Sequence, residues 1–281
     1  MRAAVLGSPI AHSLSAVLHN AAYTELGLTG WSYQAIECTE DGLPGLLAGC
    51  GQDWAGLSLT MPLKRAVLPL LDKVDPLAAD VGGANTVTFA GRASRGHNTD
   101  VPGMIAALAA AGVTAADISA AGPALILGGG ATACSALASL RGLGAAEATV
   151  AVRDTARAAD LLAAADRLGM RVRLTAFGEE EHADRGPGLL ISTVPAGAAD
   201  GYAGRILRAG GAPMAVLDAV YHPWPTRLAA AAATTGAVTV SGFELLLHQA
   251  GPQVELMTGR PAPLEVMRAA GLAELARRAS R

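Results

Sequence analysis

The stretch Gly128-Gly129-Gly130-Ala131-Thr132-Ala133 constrains this chain more than any other. An apolar run, Ala124-Leu125-Ile126-Leu127, precedes it, and an Ala- and Leu-rich helical segment follows. The pattern predicts strand, glycine turn and helix, the arrangement in which a helix N-terminus meets a dinucleotide pyrophosphate. Glycines let backbone N–H groups reach a phosphate with no Cβ in the way, and Ala133 is still small enough for helix to lie close on strand. The same residues also read as a tight turn without a ligand. The turn falls near the middle of the 281 residues. Something other than a cofactor domain therefore fills the first part of the chain, and that part is expected to hold the substrate.

The flanking periodicities set the architecture. Residues 2–6 read as a strand, 15–26 as a helix stopped by Gly27, 31–36 as a strand, 43–47 as a short helix and 56–60 as a strand running into Pro62. Residues 65–71 and 76–81 read as helices, and strand 86–89 has 91–97 as its neighbour. Helix 101–111 leads to the βαβ unit 124–152. Helix 156–168, strands 171–174, 189–193 and 215–217, helix 226–235 and strand 238–240 follow. Strands alternating with helices imply a parallel, doubly wound sheet. In the tail, Phe243, Leu246, Leu247 and Ala250 share a helix face; Gly251-Pro252 is expected to interrupt, 253–257 to continue, and a last helix to cover 263–279. The expected fold is α/β in two domains. An N-terminal α/β substrate-binding and catalytic domain covers 1–101, with C-terminal helices of 241–281 returning to it; a Rossmann-like, doubly wound dinucleotide-binding domain covers 102–240.

Hydrophobic residues at 51% and charged ones at 16% give enough apolar surface for two cores and argue against disorder. A net charge of -3 without Lys/Arg runs argues against nucleic acid as partner. No apolar run reaches the ~20 residues of a membrane span, and the first residues lack a signal-peptide h-region. Cys38, Cys50 and Cys134 are odd in number and have no CxxC spacing, so neither a disulfide framework nor a zinc site is expected, and a cytoplasmic location is. Cys134 reads as a small packing residue, with thiol activation at a helix N-terminus as the alternative. His12, His19, His97, His182, His222 and His248 show no metal-binding spacing, and none is taken as catalytic.

The end of the second strand of the βαβ unit chooses the nucleotide. Val152-Arg153-Asp154-Thr155-Ala156-Arg157 carries both signals, an acid for a ribose hydroxyl and arginines for a 2′-phosphate. Two guanidiniums a turn apart match phosphate geometry, and Asp154 reads equally as a helix cap. NADP is the expected cofactor. On the substrate side, Ser13 and Ser15 are two apart on a segment read as extended, where side chains point the same way; Ser15 as a plain N-cap is the other reading. Lys64 follows Thr60-Met61-Pro62-Leu63, Asn85-Thr86 follows Gly82-Gly83-Ala84, and Asn98-Thr99-Asp100 precedes a helix. Such polar residues gather at strand ends, where α/β ligand sites lie.

These segments, with Gly7-Ser8-Pro9-Ile10-Ala11-His12-Ser13-Leu14-Ser15, residues 218–226 and 242–249, occur in one order along nearly the whole chain, and together they resemble the shikimate dehydrogenase family. The resemblance implies reversible reduction of 3-dehydroshikimate to shikimate with NADPH, in aromatic amino-acid biosynthesis. It implies Lys64 and Asp100 as the catalytic pair, and Ser13, Ser15, Thr60, Lys64, Asn85, Asp100, Tyr221 and Gln249 as substrate contacts. Gly128, Gly129, Gly130, Ala131, Thr132, Arg153, Asp154 and Arg157 would bind the cofactor, with Ala219 and Gly242 beside the nicotinamide. Three positions depart from the family pattern: Ala16 for Pro, Ser58 for Asn and Val152 for Asn. Ser58 bears on the choice between shikimate and quinate, and Val152 on the adenosine-phosphate clamp.

An ordinary lysine is a poor base at neutral pH. A carboxylate at ~4 Å favours the ammonium by about 4 kcal/mol at an effective dielectric near 20. Lys64 is therefore expected to meet the ketone protonated and to give its proton to the forming alkoxide, with Asp100 orienting it. An NAD-dependent quinate/shikimate dehydrogenase and a non-catalytic NADP-binding regulator on the same fold are the competing readings. A homodimer is compatible with the sequence, and Gly103 and Gly242 lie where hinges are allowed.

Overall fold

The computed structural model describes residues 1–91, 93–178, 187–208 and 213–280. His182 lies outside the described residues. The chain divides into two compact units, Met1–Gly103 with Leu246–Arg281, and Met104–Leu245.

In the first unit, β1 (Arg2–Gly7), β2 (Ser32–Glu37), β3 (Trp54–Leu59), β4 (Lys73–Val74), β5 (Thr86–Ala90) and β6 (Ala93–His97) form one mixed sheet in the order β2-β1-β3-β5-β6-β4. β1 runs parallel to β2 and β3, whereas β5 is antiparallel to β3 and β6. Every residue of β3 is buried, as its nearly continuous apolar sequence requires of a strand covered on both faces. Leu6, Leu57, Leu63, Val67 and Val87 form the core on one side. On the other, Ala3, Val5, Tyr23 and Tyr33 pack with Met257 from the C-terminal region. Helix Leu264–Ala279 packs on helix Ser15–Glu25.

In the second unit, β7 (Ala124–Leu127), β8 (Glu147–Val152), β9 (Arg171–Ala176), β10 (Leu189–Ser192), β11 (Ala215–Asp218) and β12 (Val238–Ser241) pair throughout in parallel, in the order β12-β11-β10-β7-β8-β9. Counted within the unit this is the order 3-2-1-4-5-6, and the direction of winding reverses between β7 and β10. A ligand crevice of such a sheet opens at that reversal, beyond the C-terminal strand ends. Among the described residues no helix is long and apolar enough to cross a membrane.

Several local expectations change. The segment expected as helix over 65–71 is an α-turn, Leu63–Ala66, then a 3₁₀ turn, Leu68–Leu70. Pro69 has no N–H and its ring would strike the carbonyl of Arg65 in a continuous helix. Helix 156–168 starts later, at Ala159, after a 3₁₀ turn Thr155–Arg157. Gly251-Pro252 does not interrupt: one helix runs Gly242–Thr258 with Pro252 inside. Burial of Ala250, Gln253, Val254 and Met257 offsets the roughly 3 kcal/mol that an interior proline costs. Helix Ala115–Ala121 was not expected, although its capping box of Thr114 and Asp117 is legible in the sequence.

Candidate active site

In the first unit the site is built at strand ends. Asn85 directly precedes β5; its N–H donates to His97 O at 3.0 Å and its carbonyl accepts from Leu59 N–H at 2.8 Å, pinning it between β3 and β6. Lys64 rides on the short helix anchored by fully buried Leu63, and its carbonyl accepts from Ala84 N–H at 2.8 Å. Asp100 opens helix Asp100–Ala110, where the helix dipole favours an anion. Lys64 Nζ donates to Asp100 Oδ2 at 2.6 Å, with the two side chains 14% and 3% exposed. Asn85 Nδ2 donates to the other oxygen, Asp100 Oδ1, at 2.9 Å and to Gln249 Oε1 at 3.3 Å. Asn85 Oδ1 accepts from Thr99 N–H at 2.8 Å, and Asn98 fixes the preceding turn through Gly83 O and Val101 N–H. The structure thus brings together Lys64, Asn85, Asp100 and Gln249 from four separate segments. An ammonium held by a carboxylate in a nearly dry setting can donate a proton to an oxygen placed before it.

Gln249 stands where it does because Gly103 has no side chain. A Cβ on Gly103 would lie 2.7 Å from Gln249 N and 2.8 Å from its Cα. The glycine thus serves close contact between helices Asp100–Ala110 and Gly242–Thr258. Thr60 is half-buried, and its N–H donates to Leu6 O at 2.9 Å.

The serine pair differs from expectation. Leu14 is the N-cap residue, in helical conformation, so the segment is not extended and Ser15 is not the cap. Ser13 Oγ instead accepts from Ser15 N–H at 3.2 Å, a turn that a hydroxyl two residues back readily closes. The carbonyls of His12 and Ser13 are held from the far end of the chain by Arg278, at 2.7 and 3.4 Å. Glu274 accepts from Arg277 and Arg278, which hold its carboxyl down to about 2.

Sequence reasoning missed Tyr33 and Gln253. Tyr33 Oη donates to Ser58 Oγ at 2.6 Å, and Ser58 Oγ to Gln253 Oε1 at 2.9 Å. Ser58 is thus enclosed, only 3% exposed. Gln253 lies four residues after Gln249 on one helix, a spacing that places both on one face and could have flagged it.

In the second unit, Gly128 follows β7 with φ +112°, and a Cβ there would lie 2.5 Å from Thr193 Oγ1, just beyond β10. A Cβ on Gly129 would lie 3.1 Å from Val152 Cγ1, whereas Gly130 has open space around it. Gly130 is the N-cap of helix Ala131–Gly142, and no side chain caps that end. Fully buried Ala133 lets the helix sit close. A phosphate therefore fits over the first-turn amides of Ala131 and Thr132. Arg153, Asp154 and Arg157 are exposed after β8, and Asp154 caps the 3₁₀ turn by accepting from Ala156 N–H at 3.0 Å. This is a surface on which two arginines can meet a 2′-phosphate, so the residues fit NADP. Gly242 N–H donates to Val220 O at 3.1 Å, and a Cβ on Gly242 would lie 2.0 Å from Ala219 O. Asp218 is 2% exposed; burial pushes its carboxyl up, against the Thr226 hydroxyl and Val220 N–H that donate to it. Tyr221 is half-buried on the loop that follows.

The wound sheet, its glycine turn and the buried lysine–carboxylate pair define an α/β protein of the dinucleotide-binding class. Residues 5–87 match the model for the shikimate dehydrogenase substrate binding domain, and residues 242–270 that for the shikimate 5′-dehydrogenase C-terminal domain. The chain belongs to the shikimate dehydrogenase family. A relative from Halobacterium salinarum, named shikimate dehydrogenase (NADP(+)), is 37% identical over 273 residues, 96% of this chain and 98% of its own. The solved Mycobacterium tuberculosis shikimate dehydrogenase is 42% identical with a TM-score of 0.83, covering 97% of this chain and 99% of that one. The Thermus thermophilus enzyme, solved in complex with NADP(H) and shikimate, is 32% identical with a TM-score of 0.82, covering 97% and 99%.

Proposed function

We propose that this chain catalyses the reversible reduction of 3-dehydroshikimate to shikimate with NADPH, a step of aromatic amino-acid biosynthesis. The observation that carries the reading is the Lys64–Asp100 contact at 2.6 Å, braced by Asn85. The first unit takes the substrate-binding and catalytic role and the second the dinucleotide. NADPH, when bound, supplies the hydride. Lys64 Nζ holds the proton that the substrate oxygen takes as the carbonyl carbon gains the hydride. Asp100 keeps that ammonium aimed, and Asn85 and Gln249 offer amides to hydroxyl groups of the ring, with Ser13, Ser15 and Thr60 as further partners. In the reverse direction Lys64 first loses its proton and then accepts that of the alcohol. Gly128, Gly129, Gly130, Ala131 and Thr132 bind the pyrophosphate; Arg153 and Arg157 bind the 2′-phosphate.

A cytoplasmic setting completes the reading, supported by the free thiols of Cys38, Cys50 and Cys134. Light scattering on purified protein tests the homodimer. The deciding assay follows NADPH consumption with 3-dehydroshikimate, beside quinate oxidation with NADP and NAD. Turnover of dehydroshikimate with NADPH is expected to dominate. No turnover, or a preference for quinate with NAD, overturns the assignment.

A further inference from the structure

The mechanism uses Lys64, Asp100 and Asn85, and leaves a line of buried hydrogen bonds behind them without a role. Tyr33 Oη donates to Ser58 Oγ, and Ser58 Oγ to Gln253 Oε1. Gln253 Nε2 donates to Thr86 Oγ1 at 3.0 Å and to Asn85 O at 3.4 Å. Thr86 Oγ1 donates to Asn85 Oδ1 at 3.0 Å, and Asn85 Nδ2 to Asp100 Oδ1 at 2.9 Å. Every donor in this line points toward the carboxylate that holds Lys64. None of the six residues is more than 4% exposed, so water does not stand in for a missing partner.

The direction has a physical origin. Burial pushes the Tyr33 phenol above its ordinary range, so it stays protonated and can start the line as a donor. The ring stacked on it, His19 at 4.0 Å between centroids, is brought down to about 4 by burial and is neutral near pH 7. No charge enters the line before Asp100. An asparagine amide has an accepting end and a donating end, and reversing it would set donor against donor at Thr86 and Thr99 and oxygen against oxygen at Asp100. Thr99 supplies two of the three donors that oppose the reversal, its N–H at 2.8 Å and its hydroxyl at 3.1 Å. Gln253 supplies the other indirectly: its Nε2 occupies a lone pair of the Thr86 oxygen and turns the hydroxyl proton toward Asn85.

We propose that Gln253 is a positioning residue for the reaction, acting through Thr86 and Asn85 to fix the Asp100 carboxylate against Lys64. The inference rests on the function proposed above. It extends the site to Gln253 of helix Gly242–Thr258 and Tyr33 of β2, which lie behind the groups that meet substrate.

The test compares the full-length chain with Gln253→Leu and Thr86→Val. Each breaks the line at one point with little change of volume, and the threonine variant carries the test if the other fails to fold. Stopped-flow fluorescence with enzyme in excess over 3-dehydroshikimate reads the single-turnover rate of NADPH loss, which does not depend on the folded fraction. Steady-state kinetics supplies KM, and NADPH quenching its Kd. A single-turnover rate about tenfold lower in both variants is expected, the order of effect of one buried hydrogen bond passed on through Asn85 to the carboxylate, with KM and the NADPH Kd changed far less. An unchanged single-turnover rate in either folded variant, beside an active parent, overturns the positioning role and leaves the proposed function standing. A parent that never consumes NADPH with this substrate overturns the function, and the role falls with it.

Discussion

Lys64 reaches only one oxygen of Asp100, at 2.6 Å, because Asn85 occupies the other at 2.9 Å. The carboxylate cannot swivel to receive the lysine in two ways, so the ammonium has one resting direction. Lys64→Ala removes the proton donor and leaves Asn85 and Gln249 in place. A fall in kcat of about 10²–10⁴ with a smaller change in KM is expected, the usual contribution of a positioned acid or base. A kcat within a few fold of the parent rejects the assignment.

Arg153 is exposed beside the glycine turn and makes no contact that the fold needs for its core. Arg153→Ala should raise KM for NADPH by about 10-fold or more, as expected for a charge-assisted contact, while KM for NADH changes little. Rates with the two nucleotides side by side check this. An unaltered NADPH/NADH ratio removes Arg153 from the 2′-phosphate site.

His19 gives the fold a pH dependence of defined sign. Its imidazole is 0% exposed and burial lowers it from 6.5 to about 4. Above pH 6.5 both folded and unfolded chains carry it neutral, and it costs nothing. Between 6.5 and about 4 the unfolded chain binds a proton that the folded one refuses, so stability falls with pH across that window. The loss by pH 4 is about 3 kcal/mol. Urea unfolding at pH 7 and pH 4 should show a drop larger by about that amount in the parent than in His19→Phe, which keeps a ring against Tyr33. Equal drops in the two proteins contradict the buried neutral imidazole.

Gly103 and Gln249 touch backbone to backbone. Gly103→Ala puts a methyl 2.7–2.8 Å from Gln249 N and Cα, and such overpacking costs about 1–3 kcal/mol. A lower melting temperature and a raised KM for dehydroshikimate are expected together, because Gln249 is pushed away from Asn85. A variant with the parent's melting temperature and KM shows that the helices part without cost.

What the sequence made legible follows from how local each signal is. The turn at Gly128 could be read because strand, glycines and helix are neighbours in the chain, and the parallel sheet followed from alternation alone. Lys64, Asn85 and Asp100 could be placed at strand ends one at a time, but their mutual contact rests on β3, β5 and β6 pairing, which spacing does not encode. Ser13 and Ser15 were misread as extended because Leu14 turns, a matter of one backbone angle. Pro252 was misread because burial of Val254 and Met257 outweighs a local rule. Tyr33 carried no signal, since an aromatic in an alternating strand is ordinary; for Gln253 the four-residue spacing from Gln249 was a signal of a shared face, but its partner Ser58, 195 residues away, was not legible.

The chain builds part of its first unit, makes all of its second, and only then supplies Leu246 onward to the first. During synthesis the second unit is complete while the first still lacks the glutamines that close its polar line. A domain able to bury its own core can fold as it emerges, so the second unit is expected to form ahead of a first unit that must wait for the last helices. Chains cut short before residue 246 are therefore expected to keep the wound sheet and to lack the chemistry altogether.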